Sequence, residues 1–525
     1  MTSWFGEKAP GAARGGLTFT QWVGLLIGLH LLLGLALFEP TLFSGGDNAR
    51  YMILGESLRT GAGYRDLFRP GMPIHVKYPP GYPLLLAGLG WVGGVQLFKL
   101  ASLILTAAAV GLTAALGRRL VGERPALAAA ALLAINPVLL EYSHYVLSEA
   151  FFLFLVLLAL LGSEGGSNRR YAAGLAAAAG AFLTRTAGLP LLAALPLAAG
   201  LDGRYRRMAA GAGVAGVVMA GWALFQRLGP PDQAGYLHQL VLLNPYDPGA
   251  GTVGVADLLR RGALNSWTYL GRVLPGSLGV GEGGMGRAWA VPAGIGLGGF
   301  ALAGWVRRSL VGPGPAEVFT LLYLGLIATW PPVWTDRRFL LPVLPLLVIY
   351  VVHGWVGTAR SLRGWPRGAT AALLVLVSLP SVRSIVVKLP DRLRCVASYR
   401  AGAPCQSPAL SSFFEAARWA QGHTPADAVV ASRKPGFFYL FSGRRGELYT
   451  YAAEPSLVLR GLEAMGADYV VVDQLSATTS RYLIPAINEY RDRFVVVYRG
   501  GDPPTLILRF TPLPATALVP AFPGR

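Results

Sequence analysis

The sequence predicts a polytopic α-helical membrane protein of about eleven transmembrane helices with a small C-terminal α/β domain. Three observations lead there. Of 525 residues, 53% are hydrophobic and only 14% charged, with a mean hydropathy of +0.47, which leaves too few polar side chains to cover a globule of this size. Apolar runs near 19–38, 96–117, 125–140, 145–162, 171–185, 187–200, 208–225, 288–306, 317–333, 339–357 and 369–387 are mostly of spanning length. Basic residues fall on alternate sides of successive runs, the pattern of a chain threaded repeatedly through a bilayer.

The first run, 19–38, is too long for a cleaved signal peptide and lacks a small-residue cleavage site, so it is expected to be retained as a span. The short runs on either side of Arg185 fit two spans, one kinked helix or a re-entrant pair. Lys8 and Arg14, Arg118, Arg119 and Arg124, Arg169 and Arg170, Arg204, Arg206 and Arg207, Arg307 and Arg308, and Arg360, Arg363 and Arg367 define the cytoplasmic side. The loops 39–95, 141–145, 228–287 and 334–338, and everything after about 388, then face outward. These topogenic arginines account for most of the net charge of +19, so nucleic acid is not expected as a partner. The many glycines and alanines within the runs point to close helix packing.

Within loop 228–287 a turn cluster at Asn244, Pro245, Tyr246, Asp247, Pro248 and Gly249 precedes an amphipathic stretch from Val255 to Leu274, expected to lie flat on the outer membrane surface. From about Leu389 the pattern changes to short alternating runs. Ala428–Ala431, Tyr469–Val472, Phe494–Tyr498 and Leu506–Leu508 read as strands, and Ser411 to Gln421 has helical spacing. The chain therefore divides into a membrane part, 1–388, and an extracytoplasmic α/β domain, 389–525, with a proline-rich closing segment from Thr511 expected to fray. Cys395 and Cys405 both fall in that outward part, where a disulfide and two free thiols both fit the spacing.

Against this apolar background the outward charges stand out. Asp47 follows Gly45 and Gly46 just beyond the first span and precedes the helical stretch beginning Asn48, Ala49, Arg50, Tyr51. It reads either as a helix N-cap or as a general base taking a proton from an acceptor hydroxyl, and a capped carboxylate is also an oriented one. Lys77, followed by Tyr78, Pro79, Pro80, Gly81, Tyr82 and Pro83, either snorkels toward headgroups or faces a lipid phosphate as a point charge, with His75 nearby as an assistant or a plain surface residue. Arg337 and Arg338 sit at the outer mouth of a span, where positive charge is under-represented, and either bind headgroups or cradle a phosphate. Glu149, one turn into a span after His144 and Ser148, and Arg185 are costly at such depth, so each is expected to be paired, with the other or elsewhere, or to face water.

Several chemistries are excluded. There is no P-loop, no H-E-x-x-H, no zinc cysteine cluster and no G-x-S-x-G. The glycine run from Gly281 to Gly286 has dinucleotide-fingerprint spacing, but no strand precedes it and a membrane span follows. No cofactor is expected.

Taken together, Gly46-Asp47-Asn48-Ala49-Arg50-Tyr51, Lys77-Tyr78-Pro79-Pro80-Gly81-Tyr82-Pro83, Leu147-Ser148-Glu149, Leu183-Thr184-Arg185, Arg337-Arg338-Phe339-Leu340-Leu341-Pro342 and Ala417-Arg418-Trp419 resemble the bacterial GT-C glycosyltransferases of the protein O-mannosyltransferase and lipid A aminoarabinose transferase type. The resemblance implies a hexosyl- or pentosyltransferase of the bacterial inner membrane. Such an enzyme moves a sugar, with inversion, from a polyprenyl-monophosphate carrier to a lipid, glycan or protein acceptor on the outer face. It implies Asp47 as the residue that activates the acceptor and Lys77, with Arg337 or Arg338, as donor-phosphate ligands. Arg50, Tyr51, His75, Tyr78, His144, Glu149 and Arg185 are further candidates for the substrate site. A tyrosine separates Lys77 from Pro79, which loosens the match to the family's lysine-diproline stretch. Asn48 stands where family members often carry a second acid, so no metal ion is expected. A secondary transporter or lipid flippase, with Glu149 and Arg185 on its path, is the rival reading, though no internal repeat is present. A non-catalytic assembly partner using the tail as its binding module is a third.

Overall fold

The computed structural model describes residues 16–42, 47–230, 236–247, 250–281, 286–362, 368–403 and 405–512. Lys8, Arg14, Gly45, Gly46, Pro248, Gly249, Arg363, Arg367, residues 282–285 of the glycine run and the closing segment from 513 lie outside them. Eighteen helices come first: α1 (Phe19–Ala36), α2 (Asn48–Arg59), α3 (Gly81–Gly90), α4 (Val95–Val121), α5 (Glu123–Ala134), α6 (Pro137–Tyr142), α7 (Glu149–Ser163), α8 (Asn168–Thr184), α9 (Leu189–Leu201), α10 (Tyr205–Gln226), α11 (Tyr236–Val241), α12 (Val255–Thr268), α13 (Leu274–Ser277), α14 (Gly286–Val311), α15 (Pro315–Thr329), α16 (Arg337–Leu340), α17 (Leu344–Ser361) and α18 (Ala369–Arg400). The apolar runs of the sequence fall on α1, α4, α5 with α6, α7, α8, α9, α10, α14, α15, α17 and α18. Five of these helices, α1, α4, α10, α14 and α18, are long and apolar enough to cross a membrane, and α7, α9 and α15 are shorter apolar helices.

Burial divides the helices by role. Leu153, Val156 and Leu157 of α7 pack with Ala178 of α8, Leu191 of α9 and Phe319 of α15 in the central core. Leu32 of α1, Val217 of α10 and Leu376 of α18 point outward, as expected where lipid is the solvent. Gly304 of α14 and Gly354 of α17 bring two backbones together, since a Cβ on either would run into a carbonyl of the other helix. The break at Arg185 has a definite form. α8 ends there, Arg185 is extended (φ −150°, ψ 133°), and α9 begins after one 3-10 turn. Arg207, at the start of α10, donates to the carbonyls of Gly165 and Gly166 and to Asn168, which brings the chain just after α9 back to the start of α8, so α8 and α9 form a hairpin with Arg185 at its tip.

The same end of the bundle gathers the basic loops. Arg118 pairs with Glu123 at 2.6 Å, Arg119 donates to the Leu161 carbonyl at 2.5 Å, and Arg308 pairs with Glu317 at 3.3 Å. Asp47, Lys77, Glu149, Arg185 and Arg338 collect at the other end. There α12 inverts the usual amphipathic arrangement: Arg261 and Asn265 turn inward to the carbonyls of Leu240, Leu242, Ala328 and Trp330, while Val255, Leu259 and Trp267 are exposed. A helix that keeps its polar groups inside and its apolar face outside suits a lipid boundary.

α18 runs unbroken through position 388 to Arg400, and Cys395 near its end forms a disulfide with Cys405 just beyond it, with Cα atoms 5.1 Å apart. The tail then builds a four-stranded sheet of β1 (Val430–Ala431), β2 (Tyr469–Val472), β3 (Phe494–Gly500) and β4 (Thr505–Phe510), in the order β1-β2-β4-β3 with only the β1-β2 pair parallel. Strand alternation decides its two faces. Val471 and Ile507 meet Phe413 and Phe414 of α19 (Pro408–His423) and Phe437 and Phe438 of α20 (Pro435–Ser442). Val470, Val472 and Leu508 meet Leu459 and Leu462 of α21 (Pro455–Ala464) and Leu483, beside α22 (Ile484–Glu489).

This sheet domain docks on the first loop. Ala49 of α2 joins the Phe437–Phe438 cluster, the Gly446 N–H donates to the Phe68 carbonyl at 2.8 Å, and Arg69 pairs with Glu447 at 2.9 Å.

One glycine of the first loop is dictated by packing. A Cβ at Gly81 would lie 2.8 Å from both the Leu183 carbonyl oxygen and Thr184 Oγ1, so α3 can start against the end of α8 only with glycine there. Gly81→Ala is expected to cost about 1–3 kcal/mol by overpacking. Thermal unfolding in nanodiscs checks it, and an unchanged Tm would refute the contact.

Candidate active site

The site is built from five separated segments. Asp47 occupies the N-cap position of α2, but its carboxylate makes no capping bond. Oδ1 instead accepts from the Tyr78 hydroxyl at 2.7 Å, and Oδ2 lies 3.2 Å from Arg338 Nη2. Arg338, presented by the short helix α16, also places Nε on Glu149 Oε1. Glu149 is 1% exposed and takes a second cation, Arg185 Nη1, at 2.5 Å. Arg185 reaches Ser148 Oγ at 2.9 Å, and Ser148 meets the Tyr51 hydroxyl at 3.1 Å. The expected Glu149–Arg185 pair therefore exists, and Arg338 extends it to Asp47.

The loop between α2 and α3 folds back to hold Tyr78. An antiparallel bridge between Arg65 and Ile74 sets Asp66 opposite His75, whose Nδ1 is 3.0 Å from Asp66 Oδ1. His75 Nε2 accepts from the Tyr78 N–H at 2.9 Å, so the proton resides on Nδ1. Burial lowers the His75 pKa against the pull of Asp66, leaving a neutral ring. This corrects the reading of His75 as a plain surface residue: it is buried, and both of its nitrogens orient the Lys77–Tyr78 turn.

The electrostatics follow from this packing. Enclosure works to raise the Asp47 pKa, but Arg338, the Tyr78 hydroxyl, Arg50 and Lys77 outweigh it and bring it to about 2. Asp47 is held ionised. Burial and the like charge of Arg50 bring Lys77 down to about 8, against the attraction of Asp47. Among the described residues no carboxylate pairs with the Lys77 ammonium, which lies 5.9 and 5.8 Å from the ring centres of Tyr78 and Tyr236. Arg50 sits over Phe68 and Tyr78 and 4.0 Å from Asp66. Four cations thus face three carboxylates, and the cluster carries positive charge in excess. A cavity of about 280 Å³ opens beside it, lined by Arg50, Phe68, Lys77 and Gln239 and bounded by Pro435 and Leu448 of the sheet domain.

Two expected residues stand elsewhere. His144 is buried beside Ser143 and edge-on to Phe38, toward α1, and does not join the cluster. Arg337 lies in the field of Tyr145, whereas Arg338 contacts both Asp47 and Glu149. Sequence reasoning missed Asp66, Tyr236, Lys434 and Glu447. Asp66 and Tyr236 carry no motif, and the other two come from the tail, where nothing local points at the membrane part. Among the described residues, the one group of three His, Cys, Asp or Glu side chains close enough for an ion is Glu39 with Cys395 and Cys405, whose sulfurs are already bonded to each other.

Fold and site together define a class, a multi-pass membrane protein whose structural neighbours are GT-C glycosyltransferases. In particular, the chain is similar to ArnT, the lipid A aminoarabinose transferase, from Cupriavidus metallidurans bound to undecaprenyl phosphate, with 17% identity, 93% of this chain and 98% of that chain covered, and a TM-score of 0.54. It is also similar to the archaeal oligosaccharyltransferase AglB from Archaeoglobus fulgidus in complex with an inhibitory peptide and a dolichol-phosphate (15% identity, 87% and 70% covered, TM-score 0.53). The Archaeoglobus fulgidus oligosaccharyltransferase tethered with an acceptor peptide gives 13% identity, 93% and 74% coverage and a TM-score of 0.55. At such identities the likeness is one of fold. No protein-family model and no curated protein sequence matches the chain.

Proposed function

We propose that this protein is an inverting glycosyltransferase of the bacterial inner membrane, moving a sugar from a polyprenyl-monophosphate carrier to an acceptor nucleophile on the outer face. The observation that carries the reading is the network joining Asp47, Tyr78, Arg338, Glu149 and Arg185 beside a lysine that no described carboxylate neutralises. It stands at the end of the bundle opposite the basic loops, in a fold shared with lipid-linked-sugar transferases.

The donor phosphate docks against Lys77 and Arg338, its prenyl tail lying between helices. The acceptor oxygen attacks the anomeric carbon from the opposite face, the bond to the phosphate oxygen breaks, and that oxygen keeps the electron pair. Developing charge on the leaving phosphate is met by fixed cations. The acceptor proton passes to Asp47. A carboxylate with a pKa near 2 is a weak base, so this transfer comes late, once the forming bond has made the hydroxyl acidic. The donor phosphate also draws Arg338 and Lys77 toward itself and so raises the basicity of Asp47 in the complex. Glu149 and Arg185 belong to this network, which leaves the transporter reading without its separate ion path.

The test is transfer of radiolabelled sugar from undecaprenyl-phosphate donors by the protein in lipid vesicles, with mass spectrometry of envelope glycans, lipids and glycoproteins from cells with and without it. Absence of both transfer and any envelope change refutes the reading. Lys77 adds a pH signature. Its charge is complete well below pH 8 and lost above, so undecaprenyl-phosphate affinity is expected to fall from pH 7.5 toward 9.5, by at most about tenfold per unit for one proton. Lys77→Arg keeps its charge and flattens the profile; a flat wild-type profile would remove Lys77 from the phosphate site.

A further inference from the structure

A line of aromatic rings leaves the site and ends in a second cavity. Tyr78, whose hydroxyl holds Asp47, is followed by Tyr236 at 6.4 Å between ring centres, Trp330 at 6.1 Å, Trp334 at 6.0 Å and Tyr246 at 6.1 Å. The rings are tilted or edge-on to one another rather than stacked, and the four beyond Tyr78 are each half-buried or exposed. Three anchors hold the line. Asn265 donates to the Trp330 carbonyl at 2.7 Å, Trp334 Nε1 donates to the Tyr246 hydroxyl at 3.1 Å, and the Tyr482 hydroxyl donates to the Tyr246 carbonyl at 3.3 Å.

Beyond Tyr246 the surface changes character. A cavity of about 340 Å³ lies between the loop after α11 and the sheet domain, lined by Tyr246, Thr478, Ser480, Arg481 and Tyr482. That volume lies in the range of about 300–1,000 Å³ common for small-molecule sites. Its wall is mostly apolar surface that carries the hydroxyls of Thr478 and Ser480 and the Arg481 guanidinium, which is 61% exposed and rests 3.3 Å from Asp247.

We propose that this track binds the acceptor as an oligosaccharide, lying along the rings with its growing end at Asp47 and its distal sugars in the Tyr246–Arg481 cavity. This rests on the transferase reading and adds the acceptor class to it. The chemistry selects a glycan. The C–H face of a pyranose or furanose is weakly positive and settles on the negative face of an aromatic ring, and ring spacings near 6 Å are close to the advance of a sugar unit. Hydroxyls and a guanidinium at the far end hydrogen-bond sugar hydroxyls or carboxylates.

The experiment titrates the full chain in nanodiscs with fluorescent tetra- to hexasaccharides of mannan, arabinan and glucan, and in parallel with undecaprenyl phosphate. Wild type and Asp47→Asn are expected to bind at least one glycan. Trp334→Ala and Tyr246→Ala are expected to weaken it about tenfold, an aromatic contact of ordinary strength. Trp334→Phe, which keeps a ring, retains most of the affinity, and unchanged undecaprenyl-phosphate binding in the Trp334 and Tyr246 variants shows that the fold is intact. The proposal is overturned if no glycan binds wild type at millimolar concentration, or if both alanine variants bind as wild type does. Failure of wild type to bind undecaprenyl phosphate tells against the donor reading alone, and the glycan titration still decides the track.

Discussion

Asp47→Asn is expected to lower kcat for sugar transfer by about 10²–10⁴-fold, the range for a positioned base, while donor affinity is kept or improved. The reasons lie in the contacts. Asparagine preserves shape and can still accept from the Tyr78 hydroxyl, which now reaches Asp47 at 2.7 Å, but it cannot take the acceptor proton. It also removes a negative charge from a site that binds an anion, so the phosphate loses a competitor for Arg338. Because the Asp47 side chain makes no capping bond to α2, stability is expected to change little. Single-turnover transfer and undecaprenyl-phosphate binding on the same preparation separate the two effects. Normal turnover would take Asp47 out of the mechanism, and lost donor binding would make it a structural residue. The pH profiles should differ as well. With Asp47 near pKa 2 in the free protein, kcat/KM has no acid limb in the working range, whereas that of kcat moves upward once the donor phosphate occupies the cations.

Arg338→Ala is expected to produce the largest loss of stability. Arg338 is 17% exposed and joins Asp47 to Glu149, itself 1% exposed. Breaking a buried pair costs about 3–5 kcal/mol because the partner charge stays behind. Arg185 still meets Glu149, which places the expected cost at the low end of that range. Transfer should fall with it, since the leaving phosphate loses a fixed cation. A companion substitution tests the pairing: Glu149→Gln placed on Arg338→Ala strands Arg185 in turn, so Tm should fall further. Arg338→Lys keeps the charge but lacks the planar fork that spans two carboxylates, and should rescue neither Tm nor transfer fully. An unchanged Tm in Arg338→Ala would mean that the ion network is not formed.

The membrane class, the positions of most helices, the four strands and the candidacy of Asp47, Lys77, Glu149, Arg185 and Arg338 were readable in the chain. Each of these is a local property. Hydropathy needs only a window of neighbours, strand alternation only every second residue, and a charge in an apolar run announces itself by its cost. The break at Arg185 was visible too, but not its form, because only Arg207 closing on Gly165 and Gly166 makes α8 and α9 a hairpin.

Which groups meet was decided by tertiary structure. That Asp66 and the Tyr78 N–H engage both nitrogens of His75, and that His144 turns toward Phe38, is visible only in the fold. Arg337 and Arg338 are equivalent in the chain, yet it is Arg338 that contacts Asp47, 291 positions away, and Glu149, 189 positions away. The sheet domain sets Lys434 within the field of Asp47 and lends Glu447 to Arg69 with no motif to foretell it. The physical reason is one of range: burial preference is written residue by residue, whereas a pairing between distant charges exists only once packing has brought their backbones within a few ångströms.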